Sequence, residues 1–373
     1  MTAARQHPEI LVFPRDDNPY QSFLYDALLR AGVRSRYIGD LGPSHTVNLL
    51  LLPAELVWWR LRGARILHLH WVFGFALTGS GRNGLLRRAG YVWYLLVLAC
   101  ARLTGVRIVW TLHNVLPHET VFPDDRLARR RLLRTASLVI AHSEQALAEL
   151  RDVVGRPRRS VVLAHPAFDP PAATGRRNAF PRRLLVFGRI SAYKGIEETI
   201  EAFDDVAATT TVELTVAGVC ADPRLRTRLD ELRRRHPDRV RLRFGHIPEE
   251  GLPGLFAEHD LQWLPYRRAT TSGAAVLGAQ MGIPLAVPDL RAFDSVPGMR
   301  LGQAREALAQ ALRTVDAIEE HRLAELSAHS LRWSAELGTW DEMAQSTKRA
   351  MLTMTESDAP ITSTQAEPQE SVN

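Results

Sequence analysis

Residues 183–203 read RLLVFGRISAYKGIEETIEAF, and this stretch decides the fold of the second half of the chain. The apolar run 184–187 predicts a strand, and Gly188 begins a polar loop. From Ile196 onwards the apolar residues recur at helical spacing, which predicts a helix. A glycine at a strand end lets a ligand approach the backbone, and a helix N-terminus offers free N–H groups to a phosphate. The stretch therefore predicts a phosphate-binding loop.

Two cations, Arg189 and Lys194, stand in that loop. The chain has 47 lysine and arginine residues, of which only Lys194 and Lys348 are lysines. Because arginine supplies the positive charge elsewhere, a lysine kept between glycines favours a compact charge for a phosphate. The alternative is a lysine that survives by chance in a solvated turn.

The segment FGRISAYKGIEETIEAF (187–203) resembles the start of the second domain of GT-B glycosyltransferases of the broad family 4 type. The resemblance implies that Gly188, Arg189 and Lys194 bind the diphosphate of a nucleotide-sugar donor. It also implies an α/β fold of the GT-B class, in which two Rossmann-like domains with parallel sheets face an interdomain cleft.

Length and composition limit the class of protein. A chain of 373 residues suggests two domains or one large domain. A net charge of +6 and an isoelectric point of about 9.7 suggest an acidic partner, such as a sugar nucleotide, an anionic lipid or a nucleic acid. Cys100 and Cys220 are expected to be reduced core residues of a cytoplasmic protein. The first residues lack the apolar core of an export signal, so no export signal is expected, and no apolar run is expected to reach the roughly 18 residues that span a membrane.

The first half of the chain repeats the order strand, loop, helix. This order predicts a parallel sheet with helices on both faces. Asp16, Asp17 and Asn18 follow the first strand and are expected at the ligand-binding rim, where they either act on a substrate or cap the next helix. His68 and His70 alternate onto one face of a later strand. A metal pair is conceivable there, but no cysteine or carboxylate cluster accompanies them, so no metal site is predicted.

Two helical stretches bear on membrane contact. The apolar stretch 85–103 predicts a helix that is either buried or lies in a membrane interface. The basic stretch 126–135 predicts a helix that suits a polyanionic surface or forms a solvated face. Peripheral attachment to an anionic membrane through residues 91–102 and 126–134 is the expectation, on the inner face of the cell membrane.

Titratable residues crowd the end of another strand, in WTLHNVLPHE (110–119). His118 and Glu119 form a possible acid–base pair, although the loop's polar groups could equally bond the local backbone. The segment resembles one in the N-terminal domain of bacterial polysaccharide glycosyltransferases, which implies that His113 and Asn114 lie on the acceptor side. The predicted general base is Glu119, followed by His118 and Asp17.

The stretch YRRATTSG (266–273) precedes a helix of small residues. Thr271, Ser272 and Gly273 are expected to form an N-cap and nest for a diphosphate, with Tyr266 beside them. Residues 265–284 resemble the donor-binding helix of the family. Retaining family 4 enzymes carry two glutamates around this helix, but Ala269 and Leu277 occupy those positions here, and the form looks more like inverting mannosyl- and glucuronosyltransferases.

These patterns predict an acceptor domain at 1–165, a linker at 166–181, a donor domain at 182–338, a helix at 339–354 that crosses back, and a disordered tail at 355–373. The predicted activity is transfer of a sugar from a GDP- or UDP-sugar to a glycan or lipid-linked acceptor in cell-surface polysaccharide synthesis, with no cofactor or metal. The alternatives are a sugar-nucleotide epimerase and a non-catalytic subunit that binds nucleotide sugars. A nucleic-acid partner is not expected, because the chain has no recognised nucleic-acid-binding motif.

Overall fold

The protein is built as two units, each around its own parallel β-sheet. The computed structural model describes residues 10–16, 18–79, 83–117, 119–168 and 180–356. The first unit holds the chain up to Ala164 together with the chain from Trp340 onwards, and the second unit is His165–Thr339. Asp17, His118 and residues 169–179 and 357–373, for which predictions were made, lie outside the described residues.

Strands and helices alternate through the first half of the chain. They are β1 (Ile10–Phe13), α1 (Pro19–Arg30), β2 (Ser35–Tyr37), α2 (His45–Leu61), β3 (Ile66–Leu69), α3 (Gly84–Leu103), β4 (Arg107–Leu112), α4 (Asp125–Thr135), β5 (Ala136–Ala141), α5 (Glu144–Val153) and β6 (Ser160–Val162). The strands pair in the order β2-β1-β3-β4-β5-β6, and every pair is parallel.

The second half repeats this plan. Its elements are β7 (Arg183–Phe187), α6 (Ile196–Val206), β8 (Glu213–Gly218), α7 (Pro223–Arg235), β9 (Val240–Phe244), α8 (Leu252–Ala257), β10 (Leu261–Trp263), α9 (Gly273–Gln280), β11 (Leu285–Pro288), β12 (Met299–Leu301), α10 (Arg305–Asp316), α11 (Glu320–Ala335) and α12 (Trp340–Glu356). The strands pair in the order β12-β11-β10-β7-β8-β9, again all parallel.

Helices cover both faces of the second sheet. Leu184 and Val186 of β7 pack into a core cluster with residues of α6 and α10. Leu185, between them, packs into another cluster with residues of α8 and α9. Neighbouring side chains of a strand point to opposite faces, so a strand buried on both sides must be apolar throughout. The predicted α/β fold with two Rossmann-like parallel sheets is confirmed.

In each sheet the connections reverse direction beside the first strand. β1 lies between β2 and β3, and β7 lies between β8 and β10. Ligands of open parallel sheets bind at the carboxyl ends of the strands at this reversal. The loops that follow β1, β3, β7 and β10 are therefore the places to look for function.

The last helix, α12, packs on α1 in the first unit. Arg30 pairs with Asp341 at 2.7 Å, and the ring of Phe23 stacks on Trp340. Lys348 Nζ donates to the carbonyl of Ala31 (2.7 Å), where a cation suits the C-terminus of α1. The helix ends at Glu356, so it extends slightly into the segment expected to be disordered from residue 355.

The apolar helix α3 is buried on one face only. Five of its residues are buried: Gly90, Tyr94, Val97, Leu98 and Ala101. Only 28% of its most apolar 18-residue window is buried. By length and composition it is the one helix among the described residues that could cross a membrane, which corrects the expectation that no stretch is long enough. Cys100 and Cys220 are free thiols but half-buried rather than core residues.

Candidate active site

The predicted phosphate loop is held rigidly at the reversal point of the second sheet. Gly188 follows β7 with φ +102°, and Gly195 precedes α6 with φ +70°. A Cβ on Gly195 would lie 1.9 Å from the carbonyl oxygen of Pro265, so only glycine fits there. Arg267 N donates to the carbonyl of Tyr193 (2.9 Å). The loop is thereby fixed against the segment that leaves β10.

Lys194 is a buried cation at the centre of this loop. Its side chain is 7% exposed, and a Cβ built on Gly188 would lie 3.1 Å from its Nζ. Burial lowers the pKa of Lys194, and the charge of Arg189 lowers it further. No carboxylate of the described residues pairs with this ammonium group. Because an unpaired buried charge is costly, the arrangement favours binding of an anion.

Tyr266 joins the lysine to the N-terminus of α9. Its ring centre lies 5.2 Å from Lys194 Nζ, and its hydroxyl lies 3.5 Å from Ser272 Oγ. Burial raises the pKa of Tyr266 to about 12, so the hydroxyl keeps its proton. Ser272 caps α9 by accepting from Ala275 N (3.2 Å), as predicted. Thr271 and Gly273 flank the cap and are half-buried.

Gly188, Lys194, Tyr266 and Ser272 therefore form one group, hereafter the cationic cluster. Arg189 lies at its margin, exposed and without a bond to another described residue. Cation, tyrosine hydroxyl and helix N-terminus are the groups that bind a diphosphate. The arrangement fits the predicted donor-binding residues, whose roles remain predictions.

His165 is a neighbour of this cluster that the sequence did not single out. A Cβ on Gly273 would lie 3.8 Å from His165 Nε2 and 3.5 Å from the ring of Phe168. Gln280 holds Phe168 through two bonds, to its N–H (2.8 Å) and its carbonyl (2.6 Å). Burial lowers the pKa of His165. His165 and Phe168 come shortly after β6, the last strand of the first sheet. No local sequence pattern indicates that they pack on α9.

In the first unit, a chain of hydrogen bonds links Thr111, His68, Tyr25, His70 and His113, hereafter the histidine network. His68 Nε2 lies 2.7 Å from Thr111 Oγ1, and the Tyr25 hydroxyl lies 2.7 Å from both His68 Nδ1 and His70 Nε2. His70 Nδ1 lies 3.0 Å from His113 Nε2. Burial lowers the pKa of His68 to about 3 and that of His70 well below its usual range. Both imidazoles are therefore neutral.

Neutral imidazoles couple the directions of these bonds. Each carries one N–H, and the Tyr25 hydroxyl has one proton to donate. When the Tyr25 hydroxyl donates its proton to one of the two imidazoles, only two patterns are possible. Either every bond donates from Thr111 towards His113, so that His113 Nε2 accepts, or every bond donates the opposite way, so that His113 Nε2–H donates. The network thus ties the tautomer of His113 to residues on three other elements.

The ring of His113 is also held by aromatic contacts. Trp71 stacks on it with centroids 4.4 Å apart, and Tyr20 meets it edge-on at 4.7 Å. The loop behind it is pinned by Arg129, which is buried on α4 and donates to the carbonyl of Val115 (3.1 Å). At least one arginine of the basic helix is therefore structural, rather than part of a solvated or membrane-facing surface. Asn114, next to His113, is half-buried.

The predicted catalytic residues are less well defined. Glu119 is exposed and bonds to no other described residue. Beside Asp17, the structure favours capping: Asn18 Oδ1 accepts from Tyr20 N (3.0 Å), and Asp16 Oδ1 accepts from Asn18 N (2.9 Å). Within the described part of the chain, histidine, cysteine and acidic side chains form no group of three or more suited to a metal ion.

We expect Lys194→Met and Arg189→Ala to weaken binding of nucleoside diphosphates. Each change removes a charge-assisted contact of roughly 1.5–3 kcal/mol, which corresponds to a Kd about ten- to hundredfold higher. Isothermal titration with GDP and UDP measures this, and Arg224→Ala, an exposed arginine of the same unit, is the control. Unchanged binding by both variants would place the phosphate elsewhere. Because the pKa of Lys194 is lowered, wild-type affinity should also fall as the pH rises, and Lys194→Met should lose that dependence.

We expect Tyr25→Phe to destabilise the first unit. It leaves one nitrogen on His68 and one on His70 buried without a partner, at about 1–3 kcal/mol each in the free energy of unfolding. Urea denaturation measures the loss. Tyr37→Phe is the matched control, since the Tyr37 hydroxyl bonds to no described residue. Equal stability of the two variants would show that the network contributes nothing.

Comparison with known proteins supports an enzyme of one family. Residues 88–170 match the sequence profile of Glycosyltransferase Family 4. The chain is 29% identical over 271 residues to the GDP-mannose:glycolipid 4-beta-D-mannosyltransferase of Xanthomonas campestris pv. campestris, an alignment that covers 73% of this chain and 70% of that protein.

Solved structures share the whole architecture. Sucrose-phosphate synthase from Thermosynechococcus elongatus superposes with a TM-score of 0.72 at 17% identity, over 94% of this chain and 99% of that one. The Anabaena HepE protein in complex with UDP gives a TM-score of 0.66 at 15% identity, over 93% and 100%. Neither the epimerase nor the non-catalytic alternative is favoured by these relatives. The family match over residues 88–170, the mannosyltransferase relative and the shared GT-B fold together support a glycosyltransferase similar to those of family 4.

Proposed function

We propose that the second unit binds a nucleotide-sugar donor and that the sugar is transferred to a lipid-linked glycan bound by the first unit. The observation that carries the proposal is the buried ammonium group of Lys194, which has no carboxylate partner among the described residues. A donor diphosphate would supply the missing negative charge. The setting we infer is cell-surface polysaccharide synthesis on the cytoplasmic side of the membrane.

The relatives suggest which substrates to try first. The Xanthomonas relative is named for GDP-mannose and a glycolipid, and Anabaena HepE has been solved with UDP and with UDP-glucose. GDP-mannose is therefore our first candidate donor, a UDP-sugar the second, and a glycolipid the candidate acceptor.

We infer that the transfer needs no metal and inverts the anomeric carbon. Lys194, Arg189 and the N-terminus of α9 would together offset the charge that develops on the leaving diphosphate. Ala269, before α9, and Leu277, on α9, stand where retaining family 4 enzymes carry two glutamates, and the absence of these carboxylates supports inversion. An inverting reaction needs one general base to take the acceptor proton. Glu119 remains the proposed base. His118 and Asp17 are the next candidates for the base. The proposed role of His113 is to position the acceptor.

The test is an assay with labelled GDP-mannose, UDP-glucose and a dTDP-sugar, with and without a detergent-solubilised glycolipid acceptor. We expect acceptor-dependent labelling of the lipid, and equal rates with and without EDTA. Free sugar released without acceptor would instead support an epimerase. Loss of activity in EDTA, restored by Mg²⁺ or Mn²⁺, would refute the metal-free mechanism.

We expect Glu119→Gln to lower turnover by about 10²–10⁴-fold, because it keeps the shape of the side chain and removes the base. Donor affinity should stay nearly unchanged, since Glu119 is not in the unit that carries the cationic cluster. Asp26→Asn, an exposed acid of the same unit, is the control for the steady-state measurement. Near-normal turnover in Glu119→Gln would move the role to His118 or Asp17.

A further inference from the structure

Exposed apolar side chains concentrate on α2 and α3. Of the eighteen large apolar side chains that are exposed in the described residues, ten lie on these two helices. Each helix already buries its opposite face in the core of the first unit. An isolated exposed leucine is ordinary, but such a concentration marks a contact surface.

The two helices run side by side in the same direction. Trp93 Nε1 on α3 donates to the carbonyl of Leu49 on α2 (2.8 Å). Further along both helices, Cys100 Sγ lies 3.8 Å from the carbonyl of Pro53. Arg60 Nε, at the end of α2, donates to the carbonyl of Thr104 (2.9 Å). The contacts advance together on the two helices, so the helices are parallel and firmly joined.

Six of these ten exposed side chains fall on one side of the helix pair. Leu50 and Leu61 come one residue after contact positions of α2, and Val92 and Leu103 come one residue before contact positions of α3. Val57 and Leu96 lie one helical turn from Leu61 and Val92 on the same two stripes. Since a right-handed helix turns by about 100° per residue, opposite offsets on parallel helices point to the same side. The residues of this surface, hereafter the α2–α3 face, are Leu50, Ala54, Val57, Leu61, Val92, Leu96, Ala99 and Leu103, all of them exposed.

The segment that carries this face is positively charged. From Leu41 to Val106 the sequence has seven arginines and no lysine, and Glu55 is its only acidic residue. Glu55 is buried and accepts from Gly39 N (2.8 Å), so it does not offset the arginines at the surface. At the edge of the face, Arg62 lies over the half-exposed ring of Trp58 at 3.2 Å. Arginine and tryptophan beside apolar side chains are typical of a surface that lies in a lipid headgroup layer.

We propose that the α2–α3 face is the surface on which the protein docks onto an anionic lipid bilayer, with both helices lying in the interface. This deepens the proposed function, on which it rests, because a lipid-linked acceptor is held in such a bilayer. A second copy of the chain fits the face less well, since a symmetric contact would bring the arginines of both copies together. Neither helix crosses the bilayer, because each keeps one face in the protein core.

The experiment is cosedimentation with vesicles of phosphatidylglycerol and phosphatidylcholine, and with vesicles of phosphatidylcholine alone. The full-length protein should bind the anionic vesicles and be released by added salt. Leu50→Glu combined with Leu96→Glu should lower the partition coefficient by about tenfold or more, because both charges would have to enter the interface. Leu331→Glu combined with Leu352→Glu changes leucines of similar exposure outside the face, and should bind like the wild type.

Equal binding by the two double variants would overturn the proposal. So would a wild-type dimer that forms without lipid, dissociates in the Leu50 and Leu96 variant, and binds no vesicles. The face variant should keep its melting temperature, its affinity for GDP or UDP and its transfer to a detergent-solubilised acceptor. Loss of vesicle binding in the face variant alone supports the docking surface even if the enzyme uses none of the tested donors. Failure of the proposed activity would therefore be recognised separately.

Discussion

The buried ammonium group of Lys194, which pairs with no carboxylate in the described part of the chain, is the constraint around which the second unit is arranged. Burying a lysine without a carboxylate costs stability, and the surrounding chain forces that burial. Gly195 packs against the Pro265 carbonyl with no room for a side chain. This contact fixes the loop in which Lys194 Nζ lies next to Gly188. The ring of Tyr266 then covers the cation and links it to the cap of α9. A site of this kind is completed by the anion it binds.

In the first unit, the side chains that position His113 are uncharged. The histidine network places His113 at the end of β4 through bonds between neutral partners, because burial keeps His68 and His70 from taking up protons. Such bonds fix a ring and its tautomer without creating a charge. The two units thus differ: among the described residues, one holds a buried cation without a carboxylate partner, and the other orients the ring of His113 through two neutral imidazoles.

A feature of this protein can be predicted from the sequence when the residues that form it are close together in the chain. The glycine-bearing loop after β7, the cap at Ser272 and both parallel sheets follow from short patterns, so the sequence predicts them. The histidine network joins α1, β3 and β4, and the alternation of His68 and His70 shows only that they share a face. No pattern around Tyr25 indicates that its hydroxyl group bonds to both histidines. Arg129 illustrates the converse, because a basic run predicts a solvated face while one of its members is buried as a hydrogen-bond donor.

The apolar helices mark a further limit of sequence patterns. No helix was predicted at α2, where Pro53 interrupts an apolar run, and α3 could be interpreted as buried or interfacial. A helix that is apolar all round gives no sign of which face meets the core. Only the tertiary contacts separate the stripe packed on the sheet from the stripe left exposed. The sequence does show the charge of this region. Acidic residues are nearly absent from Leu41 to Val106, and this absence has no role in packing a core. It is the feature that a negatively charged lipid surface would require.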